Sequence, residues 1–326
     1  MIYEILDNKI VEFDPNKVEY LYSKYVPNGS LIIASVDQLN YLELPPEITC
    51  IIVDSSNPID INQFIEFEYK NPKKIYILSG IYDYYKKVNP QVQFFPFWAI
   101  WMSEPYAPVM PMGSHGFSDK IKKYKVSCLN GTQWAHRKLT YLHLSQKDYF
   151  NEMIFTFNLR KEWQWLTTEI KLTQSELDAL ALLPPEVKFL DDDNTIGIDI
   201  STNHPAYQET YVNLVTETTV SLSTPMLSEK TFKPIIAGQL FVLIASPGAV
   251  QFLRDAGIDT FDDVIDHSYD NILDTRTRIL SALVQVDRLS QMDLKELYDQ
   301  IKPRLERNSD YFLSQEFRNR FLLRFN

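Results

Sequence analysis

Apolar stretches along the chain are short and regularly spaced. From Ser30 onward the runs SLIIASV, ITCIIVDSS, KKIYILSGI and QVQFFPFWAIWM are separated by polar segments such as DQLNYLELPPE and DINQFIEFEYKN. β-Branched and aromatic side chains dominate the runs, which suits buried strands, and the segments between them are long enough for short helices or crossovers. The pattern predicts a small, mostly parallel α/β domain over residues 1–115. Ser103 to Ser118, reading SEPYAPVMPMGSHGFS, then breaks the rhythm with three Pro and two Gly and reads as a linker.

A second alternating series fills residues 120–326. It predicts a strand at Tyr124–Leu129, a helix at Trp134–Tyr149, a strand at Met153–Phe157 and a helical piece near Thr173–Leu183. An Asp-rich loop at Asp191–Asp199 precedes a strand at Tyr211–Thr216. In LSEKTFKPIIAGQLFVLIASPG, Leu227 to Gly248, Ser228 is placed to cap a helix, Gly238 to end it, and Leu240–Ala245 to form a core strand. Helices at Ala249–Ala256, TRTRILSALVQVDRL and MDLKELYDQIKPRLERN complete the series. Strands alternating with helices imply a second parallel sheet, and two such sheets joined by a linker suggest a ligand cleft at the carboxyl ends of their strands.

Composition narrows the classes. A chain of 326 residues, 45% hydrophobic and 23% charged, is long enough for two ordinary cores of a soluble globular protein. With nine Gly and neither a Walker A pattern nor GxGxxG, a P-loop ATPase or ordinary Rossmann dehydrogenase is disfavoured. The net charge of −11 argues against non-specific nucleic-acid affinity, although a local basic cleft remains compatible with it. Cys50 and Cys128 stand far apart inside apolar runs and read as buried, reduced thiols. MIYEILDNKI lacks the features of a signal peptide and no apolar run approaches membrane-spanning length, so a cytoplasmic protein is expected, with no membrane partner.

Three constellations carry candidate chemistry. In SCLNGTQWAHRK, Ser127 to Lys138, a strand ends at a tight Asn130-Gly131 turn and a helix begins with His136 and Arg137 close behind, a place suited to holding a phosphate. The plainer alternative is basic residues facing water. In VNLVTET, Glu217 sits where an apolar strand turns polar, as a ligand contact or as an edge carboxylate or cap. The third is the helix begun by Ser228. Glu229 and Lys233 are four apart and would make an ordinary exposed ion pair. Pro234, however, cannot lie deep in a helix, which forces Glu229 and Lys230 to its N-terminal end. There, free N–H groups and the helix dipole favour an anion, Lys offers a point charge, and Glu accepts from sugar hydroxyls. Those are the needs of a nucleotide-diphosphate sugar.

Two acidic clusters read more plainly. Asp191-Asp192-Asp193-Asn194 is expected to be a solvated loop, with metal binding the lesser alternative. In TFDDVIDHSYD, His267 and its neighbouring acids offer metal ligands, yet a turn and short helix with Arg276 and Arg278 paired to the acids is the preferred reading.

In this order and spacing, SCLNGTQWAHRK, VTET and SEKTFKPIIAGQLFVLIASPG resemble the donor-binding half of the α-1,3-fucosyltransferase family. They resemble more closely the small fucosyltransferase-like glycosyltransferases of bacteriophages, whose pattern includes a segment like AGIDTFDDVIDHSYD. The resemblance covers roughly residues 120 to 290. It implies a GT-B fold, two Rossmann-like domains with parallel sheets facing an interdomain cleft, and metal-independent, inverting transfer from a nucleotide sugar without a cofactor. Carried over, Arg137 and Lys230 contact the diphosphate, Glu229 the ribose or sugar hydroxyls and Glu217 the transferred sugar. Asn130 shapes the pocket, and Lys233 and His136 rank below them. The chain departs from true fucosyltransferases in the Thr-Glu-Thr after the strand and the Thr-Phe-Lys-Pro after Glu-Lys, so the resemblance does not carry fucose itself.

Inverting transfer needs a general base near the acceptor hydroxyl. Asp83 after KKIYILSGI, Glu104 after FFPFWAIWM, and His115 in the linker are the candidates. The acceptor is either a modified DNA base such as a hydroxymethylated pyrimidine or a saccharide. A DNA acceptor would recruit KNPKK and KIKKYK to line a cleft. The competing functions are a non-catalytic protein that keeps the fold without turnover and, more remotely, a metal-dependent phosphatase or nuclease.

Overall fold

The computed structural model describes residues 2–6, 9–12, 29–33, 44–54, 74–79, 93–96, 99, 103, 117, 121–131, 134–158, 170–182, 186–187, 202, 204–221 and 225–320. The chain divides into two units, Met1–Trp101 with Arg318–Asn326, and Met102–Phe317. Each is an α/β or β assembly organised on a largely parallel sheet, and each is described by itself.

The first unit holds a six-stranded sheet in the order β2-β1-β3-β4-β5-β6. Its strands are β1 (Ile2–Leu6), β2 (Lys9–Glu12), β3 (Ser30–Ile33), β4 (Cys50–Asp54), β5 (Lys74–Ser79) and β6 (Gln93–Pro96). β1 pairs antiparallel with β2, and every other neighbouring pair is parallel. The β1–β2 hairpin lies upstream of the apolar runs from which the parallel sheet is legible. The strand expected through QVQFFPFWAIWM is shorter: it stops at Pro96, and Ala99 is already helical. Proline has no N–H for the ladder, which makes Pro96 a natural last residue.

The second unit carries a five-stranded sheet in the order β11-β10-β7-β8-β9. β7 (Tyr124–Leu129), β8 (Met153–Asn158), β10 (Thr210–Thr216) and β11 (Leu240–Ile244) run parallel, and the two-residue β9 (Glu186–Val187) adds antiparallel at the edge. Every residue of β10 and β11 is buried, as continuous apolar runs require when both faces of a parallel sheet are covered. Its helices among the described residues are α1 (Ala135–Ser145), α2 (Gln174–Ala181), α3 (Pro205–Gln208), α4 (Glu229–Ile236), α5 (Ala249–Asp255), α6 (Thr275–Ser290) and α7 (Leu294–Phe312), and α8 (Gln315–Arg320) spans the division between the units. α1 packs with α6, and α4 with α7.

Several extents differ from the expectation. α1 stops at Ser145, and Asp148–Glu152 forms a separate 3₁₀ turn instead of continuing the helix to Tyr149. α7 runs through Pro303 to Phe312, past the expected end at Asn308, because a buried stripe of Leu297, Ile301, Leu305 and Phe312 outweighs the lost hydrogen bond. Among the described residues no helix is long and apolar enough to cross a membrane.

Candidate functional site

The strand order reverses direction between β7 and β10. From β7 the chain moves outward to β8, then returns to place β10 on the other side of β7 and continues to β11. The carboxyl ends of neighbouring strands at such a reversal splay apart and form the usual ligand crevice of an open α/β sheet. β7 ends at Leu129 and β10 at Thr216, so the motifs SCLNGTQWAHRK and VTET exit side by side at this point.

On the β7 side, Asn130 is fully buried and ties three strands together. Its N–H donates to the Thr156 hydroxyl at 2.9 Å and carbonyl at 3.1 Å, and its Oδ1 accepts the Thr216 hydroxyl at 2.6 Å. Its Nδ2 donates to Cys128 Sγ at 3.2 Å, and burial pushes that thiol up to about 12, so it stays protonated and inert.

His136 and Arg137 open α1 and reach across the reversal to β10. His136 Nε2 lies 2.9 Å from the Glu217 carbonyl, and Arg137 Nη2 donates to the Thr216 carbonyl at 3.2 Å. Both side chains are buried. Burial, then the Arg137 charge, hold the His136 pKa well below its ordinary value against the weaker opposing effect of the Glu217 carbonyl. The ring is therefore neutral, and because a carbonyl only accepts, Nε2 carries the proton.

On the β10 side the Glu217 carboxylate, fully buried, is consumed by the start of α4. Oε1 accepts the Ser228 N–H at 2.8 Å and the Thr231 hydroxyl at 2.6 Å. Oε2 accepts the Ser228 hydroxyl at 2.6 Å and the Thr218 N–H at 3.3 Å. A carboxylate offers roughly four lone-pair positions, and this arrangement fills them.

α4 itself is eight residues long and contains Pro234, which lacks the N–H for one of the few i→i−4 bonds so short a helix has. Its ends compensate. Ser228 is the N-cap, accepting from the Lys230 N–H at 3.4 Å. At the C-terminus the Gly238 N–H meets the Ile235 carbonyl at 3.3 Å and the Gln239 N–H meets Pro234 at 2.9 Å, a Schellman closure with Gly238 at φ +65. A Cβ on Gly238 would lie 2.1 Å from Phe117 Cε1, so the end of the linker segment rests directly on this glycine.

The cap places Glu229 and Lys230 in the first turn, with Pro234 in the second. Glu229 is buried, and its Oε1 accepts from Lys230 Nζ at 2.7 Å. Burial pushes its pKa up, but the Lys230 and Lys233 charges and its own N–H outweigh this and hold it below the usual carboxylate range. Lys230 Nζ also reaches the hydroxyls of Ser228 at 3.3 Å and Thr218 at 3.4 Å, and its side chain keeps 31% of its surface. Lys233, one turn on, is 2% exposed. Lys230 is thus more exposed than Glu229 and Lys233.

Among the described residues three helices begin at this edge of the sheet, and two have a carboxylate seated on their N-terminus. Glu217 serves α4. Asp270 serves α5, whose N-cap Gly248 has no side chain: its two oxygens accept the N–H groups of Val250 and Gln251, each at 3.1 Å. Burial raises the Asp270 pKa despite these bonds. α1 differs. Among the described residues no side chain caps it and its first turn has no acid.

The segment after α5 is architectural. His267, buried with its pKa lowered by desolvation, donates from Nε2 to the Thr260 carbonyl at 2.7 Å, leaving Nδ1 to accept from the Tyr269 hydroxyl at 3.1 Å. The expected pairing of Arg276 and Arg278 with the acids of this segment is not found. Arg276 pairs with Glu176 of α2. Arg278 is buried and donates to the backbone carbonyls of Ala245 at 3.0 Å, Leu273 at 3.3 Å, Ile272 and Val220. Its reach back to the β10 and β11 exits is set by the fold and is invisible in spacing. No group of three or more His, Cys, Asp or Glu side chains among the described residues is arranged to hold a metal.

Of the expected site residues, the structure brings Asn130, His136, Arg137, Glu217, Ser228, Glu229, Lys230 and Lys233 to one edge of one sheet. Asp83, Glu104, His115 and Asp191–Asn194 lie outside the described residues. Sequence reasoning missed Thr216, whose hydroxyl and carbonyl tie β10 to Asn130 and Arg137, and Thr218 and Thr231, which link the β10 exit to α4. The available signal was Ser228 followed three residues later by Thr231, a polar pair at cap spacing.

No family model and no curated protein matches the chain. Among solved structures, one match is the DNA-modifying enzyme β-glucosyltransferase, crystallised in the presence and absence of uridine diphosphoglucose. It has a TM-score of 0.40 and 11% identity over 90% of this chain and 72% of that one. Another is a mutant of the T4 phage enzyme BGT in complex with UDP-glucose, with a TM-score of 0.42 and 10% identity over 90% of this chain and 81% of that one.

Proposed function

We propose that the protein is an inverting, metal-independent glycosyltransferase of GT-B type that takes its sugar from a nucleotide-diphosphate sugar. The acceptor oxygen attacks the anomeric carbon as the bond to the diphosphate breaks, and a carboxylate base takes the hydroxyl proton. Negative charge grows on the departing diphosphate. Lys230 and the dipole of α1, whose first turn carries no acid, supply positive potential where that charge develops, fixed before reaction. Asp83 and Glu104 are the proposed bases. The acceptor is a hydroxymethylated pyrimidine in DNA or a saccharide hydroxyl.

The observation that carries this reading is the convergence of Arg137 and Lys230 on the β7–β10 reversal. Two segments about eighty residues apart in sequence meet where open α/β sheets bind ligands, and His136 and Arg137 are bonded to the Glu217 and Thr216 carbonyls there. The test is transfer. The protein is incubated with a panel of UDP- and GDP-sugars and either hydroxymethylated duplex DNA or oligosaccharides, and product is followed by mass. Addition of one hexose or deoxyhexose mass to one acceptor class supports the reading, and a panel with no transfer and no donor hydrolysis contradicts it.

One observation favours a second reading, a protein that binds sugar nucleotides without turning them over. Arg137 is 3% exposed, and its guanidinium is bonded to the Thr216 carbonyl. That protein would bind nucleotide diphosphates and give neither transfer nor hydrolysis.

A further inference from the structure

We infer that Glu217 is a positioning residue of the donor site, acting on the nucleotide through α4 and Lys230 instead of touching the sugar. This rests on the donor-site reading above. Its basis is the completeness of the clamp. All four bonds to the carboxylate come from Thr218, Ser228 and Thr231, and the side chain is fully buried. The helix it holds needs holding: eight residues interrupted by Pro234 form a marginal helix without tertiary anchors. The same atoms that Glu217 grips also place the cation. Ser228 Oγ donates to Glu217 Oε2 and lies 3.3 Å from Lys230 Nζ, and Thr218, whose N–H meets Oε2, presents its hydroxyl to Lys230 at 3.4 Å. On the far side, His136 fixes the Glu217 carbonyl from α1. One residue thereby couples the two helix starts that flank the strand reversal, so a displacement of its carboxylate is felt at the Lys230 ammonium.

The test uses the full chain and four probes, UDP, GDP, UDP-glucose and GDP-fucose, by calorimetry at a temperature where every variant is folded. Glu217→Gln replaces an acceptor pair by one acceptor and a donor that faces the Thr218 N–H. Thr231→Val removes one hydroxyl and leaves the carboxylate, which keeps a second variant available should the first not fold. For the nucleotide diphosphate that wild type binds, Glu217→Gln is expected to weaken affinity about tenfold and Thr231→Val about threefold, the scale of losing one charge-assisted bond or part of it. The corresponding sugar nucleotide should lose affinity by the same factor. In Glu217→Gln the dependence of affinity on salt should also flatten, because the ammonium no longer faces the phosphate squarely. A merely structural role would lower the melting temperature and leave affinity and its salt dependence untouched, which overturns the inference. Loss of sugar-nucleotide affinity with that of UDP and GDP intact means that Glu217 touches the sugar, and overturns it too. If wild type binds none of the probes, the donor-site reading itself fails and the inference with it.

Discussion

Arg137 Nη2 donates to the Thr216 carbonyl at 3.2 Å, so the first turn of α1 is bonded to the last residue of β10 across the strand reversal. Replacing Arg137 by Met keeps much of the aliphatic stem and removes the donor. The Thr216 carbonyl then loses a charge-assisted partner in a buried place, at an expected loss of about 2 kcal/mol in urea unfolding. Unaltered stability would show that the bond contributes nothing net.

Acid should destabilise the second unit in a defined window. The folded-state pKa values of His136 and His267 are both lowered, chiefly by burial, so the unfolded chain binds protons that the native state refuses. Their contribution is complete above the unfolded value of about 6.5 and falls as pH drops below it, by up to about 1.4 kcal/mol per pH unit for each ring. Urea unfolding between pH 7.5 and 5.5 should show this slope. His136→Gln, which keeps a donor for the Glu217 carbonyl, should flatten it by one ring's share, and an unchanged slope would place the titration elsewhere.

Gly238 should resist substitution for two separable reasons. Alanine there must adopt a positive φ, costing about 1–2 kcal/mol, and its Cβ would lie 2.1 Å from Phe117 Cε1. Gly238→Ala is therefore expected to cost more in wild type than in a Phe117→Ala background, where the φ penalty remains and the clash is gone. Equal costs in the two backgrounds would mean that Phe117 does not rest on Gly238.

Asp270→Ala strips the α5 N-terminus of its acceptor and leaves the Val250 and Gln251 amides without that partner. The loss should be about 1–2 kcal/mol, the range of helix caps. Thermal unfolding of Asp270→Ala beside Asp266→Ala, whose carboxylate faces the Ser268 N–H in an exposed turn, separates a cap from a surface acid.

Much of this site was legible in the sequence because local rules govern it. Ser228 as cap, Pro234 as limit and Gly238 as closure fix α4 without tertiary information, and the structure places all three as expected. The continuous apolar runs of β10 and β11 likewise announce a sheet covered on both faces. What the sequence left open is what side chains do across the sheet. Glu217, read as a ligand contact or a cap, holds a helix start eleven residues downstream, and Arg278, read as a partner of nearby acids, binds carbonyls up to fifty-eight positions away. Those partners are chosen by the strand order, and no spacing rule encodes the reversal between β7 and β10. The β1–β2 hairpin lay upstream of the legible runs because its short strands carry charges, Glu4 in one and Lys9 and Glu12 in the other, that dilute the apolar signal.

The central claim is that the mouth formed by α1 and α4 holds a nucleotide diphosphate, and calorimetric titration of wild type and Lys230→Ala with UDP and GDP tests it most directly. The account predicts saturable binding of one of the two by wild type and at least about tenfold weaker binding by the variant, both measured at a temperature where the variant is folded, since Lys230→Ala also takes the partner from the buried Glu229 carboxylate and lowers the melting temperature. Equal affinity in the two proteins, or no binding of either nucleotide by wild type, would contradict it.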